Sequence, residues 1–88
     1  MPTILHIRGW RVFFYADEGQ EPIHVHAKKG GSECKFWLRA DLFDLEEAWS
    51  HGLSPRLRRE IRKIIFDHFD EIVEEWNRRF GDKDHAGN

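Results

Sequence analysis

A chain of 88 residues with 40% apolar content, four Trp and seven Phe can build one hydrophobic core and has no length left for a second. Its 34% charged residues sum to a formal net charge of −2, which excludes a globally basic nucleic-acid binder but leaves local basic patches open. One cysteine excludes an internal disulfide, the amino end lacks a charged region followed by an apolar one, and no apolar run nears the roughly 20 residues that cross a bilayer, so a cytoplasmic site away from membranes is expected.

The first elements are two strands within Thr3 to Tyr15, rich in β-branched and aromatic residues, joined by a turn at Arg8-Gly9. A tight turn sets Ile7 opposite Trp10, Leu5 opposite Val12 and Thr3 opposite Phe14, with His6, Arg11 and Tyr15 on the other face beside Ile4 and Phe13. Ala16 to Pro22 has loop composition and reads as a mobile lip. Gly30-Gly31 between alternating segments predicts a second hairpin with a type I′ turn. Lys28 then pairs with Glu33, His26 with Lys35 and His24 with Trp37 on one face, while Ile23, Val25 and Ala27 meet Leu38, Phe36 and Cys34 on the other. Cys34 is read as core.

Phe43, Leu45 and Trp49 alternate, which predicts a fifth strand at about 43 to 49, although Leu45-Glu-Glu-Ala48 also contains good helix formers. Ser54 is an N-cap and Pro55 a first helical residue. Leu57, Ile61, Ile65, Phe69, Ile72, Trp76 and Phe80 then recur at three- and four-residue steps, predicting one long amphipathic helix ended by Gly81. The expected architecture is a two-layer α+β domain over residues 1–80. An antiparallel sheet of four or five strands is covered on one face by the long C-terminal helix, and residues 81–88 form a disordered tail.

The uncovered face carries the candidate site. His24 and His26, two residues apart on a strand, project to one side, near enough to act on one atom or one scissile group. Imidazole exchanges protons near neutral pH, so the pair suits acid–base catalysis at an RNA 2′-hydroxyl, with Arg11, Lys28 and Lys35 attracting phosphate. The helix adds Arg56, Arg58, Arg59, Arg62 and Lys63 in its first turns, against the macrodipole preference, so Arg58, Arg59 and Arg62 join the candidate anion-binding set. Pairing of Arg56 with Glu60 and Lys63 with Asp67 is the plainer reading of those charges. Phe66, off the apolar stripe, marks a candidate contact for a partner or a homodimer.

A metal needs further ligands, for which His6, Asp17, Glu18 and Glu21 are candidates. No spacing matches a zinc signature, and Lys28, Lys29 and Lys35 would repel a cation, so no metal and no cofactor is expected.

With "RVFFYADEGQEPIHVHAKKGGSECKFWL", "HGLSPRLRREIRKII" and "EEWNRRF", the chain resembles, over nearly its whole length, the bacterial family catalogued as domain of unknown function 4160. The most specific part is the aromatic strand, the acidic-Gly loop and Glu21-Pro22-x-His24-x-His26. The resemblance implies a small cytosolic protein, often encoded beside a second small protein as in toxin–antitoxin pairs, and so adds weight to a partner protein and an RNA-directed role. The leading expectation is a toxin–antitoxin-type module that binds or acts on RNA through its His-rich face. The alternative is a non-enzymatic protein–protein interaction module that docks a small neighbour.

Overall fold

The computed structural model describes residues 3–81. The expected disordered tail therefore lies, beyond Gly81, outside the described residues. Five strands, β1 (Thr3–Ile7), β2 (Trp10–Phe13), β3 (His24–Lys29), β4 (Ser32–Arg39) and β5 (Asp44–His51), form one antiparallel sheet in sequence order. Helices α1 (Pro55–Asp67) and α2 (Phe69–Trp76) follow, closed by a wider π turn over Asn77–Gly81. This is the expected α+β class. No helix among the described residues is long and apolar enough to cross a membrane.

The first turn works because Arg8 (φ 53) and Gly9 (φ 82) both adopt positive φ, the combination that matches strand twist in a two-residue hairpin. Leu5 faces Val12 and Ile7 faces Trp10 as the pattern requires, but Thr3 lies opposite Phe13 rather than Phe14, because the register shifts between Thr3 and Leu5. In the second hairpin the expected pairs from His24 with Trp37 to Lys28 with Glu33 all form, while Ile23 lies just before β3 and meets Leu38, whose N–H donates to the Ile23 carbonyl at 2.9 Å. Its turn is not type I′: Gly30 has φ 57 and Gly31 is not at positive φ, the pattern of a II′ turn.

The fifth strand departs from simple alternation. Lys35 faces Trp49 but Phe36 faces Glu47, so Ala48 is the extra residue of a bulge. Leu45 consequently joins the core, whereas Trp49 emerges on the opposite face at 42% exposure. Phe43 precedes the strand at φ 50 and packs its ring on Phe66 and Phe69.

One face of the sheet packs against the helices. Val12, Phe14, Val25, Ala27, Cys34, Phe36 and Leu38 meet Ile61, Ile64, Ile65, Phe69, Ile72 and Trp76 in a single cluster. Burying each large aliphatic side chain contributes about 1.5–3 kcal/mol, which makes this interface the main stabilising contact between the two layers. Ser54 accepts the Leu57 N–H at 3.1 Å and so caps α1 as expected. The single long helix is not formed: at His68 (φ −117, ψ 22) the chain leaves helical geometry. The His68 ring donates from Nδ1 to the Ile64 carbonyl (2.9 Å), while its backbone N–H is shared between the Ile64 and Ile65 carbonyls at 3.2 Å. Side-chain competition for helix carbonyls is a common cause of such breaks. The apolar stripe continues across it.

Candidate functional site

Strand parity places Val25 and Ala27 in the core and turns His24 and His26 to the other face. The rings are nevertheless not open to solvent. His24 is 0% exposed and His26 3%. The expected open face is corrected here: the lip turns back over β3, held by the Glu21 N–H donating to the Glu18 carbonyl at 3.1 Å, and lays the Glu18 side chain across both imidazoles. Aromatic rings complete the enclosure. Phe13 stacks on His26 at 5.5 Å and Tyr15 meets it edge-on at 4.7 Å, while Trp37 and Trp76 meet His24 edge-on at 5.3 and 5.0 Å.

The polar geometry assigns the protons. Pro22 O can only accept, so His24 Nδ1 donates to it at 3.0 Å. The other nitrogen, Nε2, lies 2.7 Å from Glu18 Oε1, a contact between two lone-pair atoms that is favourable with a proton or a cation between them. His26 Nε2 contacts both Glu18 oxygens, at 3.0 and 3.1 Å, and Nδ1 of the same ring is buried with no hydrogen-bond partner among the described residues. Burial lowers the His26 pKa more than Glu18 raises it, so this ring is neutral near pH 7 and donates from Nε2. Burial pushes the Glu18 carboxyl up, but the hydrogen bonds and electrostatic attraction of the two imidazoles, that of His24 foremost, outweigh it and hold the group below its ordinary 4.5. Glu18, His24 and His26 are also the one group of potential metal ligands found among the described residues, with donor atoms all within 4.8 Å.

The candidate cations divide between the two faces. Lys35 ion-pairs with Glu21 at 3.0 Å and lies over the Trp37 ring at 4.4 Å. Arg11 donates to Thr3 Oγ1 and lies over Phe13 at 4.8 Å, and exposed Lys28 sits opposite it across β2 and β3. These three share the histidine face. Arg58 instead binds Glu47 (2.8 Å) and reaches Ser50, Arg62 lies over Phe36 and Phe66, and Arg59 is exposed on the same helix. Since α1 packs on the core face, these three do not converge on the imidazoles. Lys29 also points to the helix side, where it shares Glu60 Oε1 with the Trp10 indole N–H (3.0 and 2.9 Å). Lys63 pairs with Asp67 as expected.

Glu18 stood in the sequence as one of four candidate further ligands with His6, Asp17 and Glu21, and only the fold of the lip singles it out by bringing it onto two rings six and eight positions away. Trp49 was hidden by the bulge and Trp76 by the distance along the chain. Gly19 was legible only as loop: the Phe80 ring lies where a Cβ at Gly19 would be, so the carboxy-terminal turn packs directly on the lip. A groove of about 720 Å³ runs between that turn and the lip, lined by Glu21, Pro22, Trp76 and Phe80.

A family model described as Domain of unknown function (DUF4160) matches residues 9–77. No curated protein and no solved structure matches the chain.

Proposed function

The chain belongs to the DUF4160 family, which is defined without an activity, and from the site itself we propose an RNA-directed module of the toxin–antitoxin kind with the paired imidazoles as its chemical centre. What supports the reading is the make-up of one sheet face: Arg11, Lys28 and Lys35 together with Tyr15, Trp37 and Trp49 surround two imidazoles joined by one carboxylate. Cations attract phosphate, and aromatic faces receive unstacked bases of a single strand. Neutral His26 is the base, oriented by Glu18, and His24 is the acid. Because both rings are buried, a ribose hydroxyl reaches them only when the lip swings aside.

Two measurements test this. Induced wild-type protein should arrest growth, whereas His26→Gln, checked for folding by circular dichroism, should not. Binding of a labelled single-stranded RNA should weaken at least fivefold in Lys28→Glu and fall steeply with salt. Wild type that neither binds RNA nor slows growth sinks the proposal.

A second reading, a non-enzymatic module docking a small partner protein, is favoured by Leu42 and Phe43, which are 69% and 55% exposed, the latter with its ring on Phe66. It predicts no RNA binding, and loss of partner binding in Leu42→Ser with Phe43→Ser.

A further inference from the structure

We propose that Glu18, His24 and His26 form a transition-metal centre, in which the Glu18 carboxylate and the Nε2 atoms of both imidazoles hold one divalent ion of the Zn²⁺ type and leave its remaining coordination to water or a small ligand. The inference does not depend on the RNA reading: with the ion bound, both Nε2 atoms are ligands, and the acid and base roles proposed above belong to the metal-free protein.

The donor set comes first. Two imidazoles and one carboxylate are the protein ligands of open zinc sites and of related first-row metal sites. Here the Glu18 oxygens lie 2.7 Å from one Nε2 and 3.0 and 3.1 Å from the other. Around a tetrahedral ion with ligands at about 2.0–2.2 Å, neighbouring donors sit roughly 3.3–3.6 Å apart, so Glu18 moves outward and the three donor atoms, all within 4.8 Å of one another, adjust to that spacing as the ion seats. Glu18 is also the ligand on a loop, and therefore the one that can make that shift.

The proton arrangement is the second argument. The Pro22 carbonyl fixes His24 with its proton on Nδ1, which aims the Nε2 lone pair at Glu18. A backbone acceptor behind the ligating imidazole is the usual device for orienting a metal-bound histidine. On His26, Nδ1 has no partner among the described residues, so the ring proton can move there and free Nε2 without breaking any bond seen at Nδ1. The two-acceptor contact between His24 and Glu18 is satisfied by one cation.

Charge is the third. Two neutral imidazoles and a carboxylate sum to −1. Of the lysines that argued against a cation, Lys29 is on the helix side with Glu60 and the charge of Lys35 is offset by Glu21, while Lys28 is exposed to solvent, which screens it. The rings of Phe13, Tyr15, Trp37 and Trp76 shield the ligands from bulk water.

The test uses the full chain, purified without an affinity tag. Elemental analysis should find about one equivalent of transition metal, and chelated protein should take up one Co²⁺ with visible absorption and melt higher with added Zn²⁺. Glu18→Gln and His26→Gln should each bind Co²⁺ at least tenfold more weakly. Wild type that gains no Co²⁺ absorption and no thermal shift with Zn²⁺ or Co²⁺ overturns the proposal, whether or not the variants fold. Folded variants that bind within twofold of wild type overturn it too, since the ion would then be held elsewhere.

Discussion

At the scale of single residues, parity decides which ionisable groups have chemistry available to them. Cys34, on the core side of β4, is buried, and desolvation pushes its thiol up to about 12, so it stays protonated and shielded at physiological pH. Native protein should resist iodoacetamide at pH 8 and react stoichiometrically only once unfolded; fast labelling of folded protein would refute the burial. Glu47 and Glu60 show the opposite sign. The hydrogen bond from Arg58 lowers the first, and those from Trp10 and Lys29 lower the second, below the ordinary 4.5. A carboxylate whose folded pKa is depressed adds stability that is complete above its unfolded pKa and is lost as pH falls through the folded one. Thermal melting should therefore begin to fall below about pH 6.5, where the unfolded chain protonates His26 and the folded one resists it, and fall further below about pH 4.5, and Glu47→Gln should flatten part of that lower acid limb. An acid limb of unchanged slope in Glu47→Gln would remove this ion pair from the account.

At the scale of elements, local chemistry wrote the hairpins and the start of α1, while deviations from regular period came from contacts beyond the element. Arg8-Gly9 and Gly30-Gly31 reverse the chain where the sequence says, and Ser54-Pro55 starts the helix where it should. The bulge at Ala48 and the break at His68 carry no comparable signature, because a skipped pairing or a ring bonded to a carbonyl changes neither composition nor hydrophobic count. Gly52 links β5 to α1 at φ 65, with a would-be Cβ 3.0 Å from the Gly31 carbonyl oxygen, and its own carbonyl accepts from Ser32 Oγ at 2.7 Å. Gly30, at φ 57, has nothing among the described residues within 4 Å of a Cβ. Both alanine replacements incur the left-handed backbone cost of about 1–2 kcal/mol, but only Gly52→Ala adds a backbone clash. Denaturant unfolding should rank Gly52→Ala as clearly the more damaging, and equal losses would contradict the close approach.

At the scale of the whole molecule, the sheet has two unlike faces with different tasks: one packs against α1 and α2, and the other is covered at its His24 end by the lip and the Trp76 ring. The chain by itself determined the strand pairing around Gly30, the parity of His24 and His26, the burial of Cys34 and the two-layer architecture, because period-two alternation, turn residues and helix caps act over a few positions and are written in composition. Tertiary structure alone decided that the imidazoles are enclosed, that Glu18 bridges them, and that Arg58, Arg59 and Arg62 lie across the sheet from them. Those outcomes depend on the path of a ten-residue connection between β2 and β3 and on which layer a helix occupies. Such contacts join residues whose spacing along the chain carries no period, so only the folded backbone brings them together.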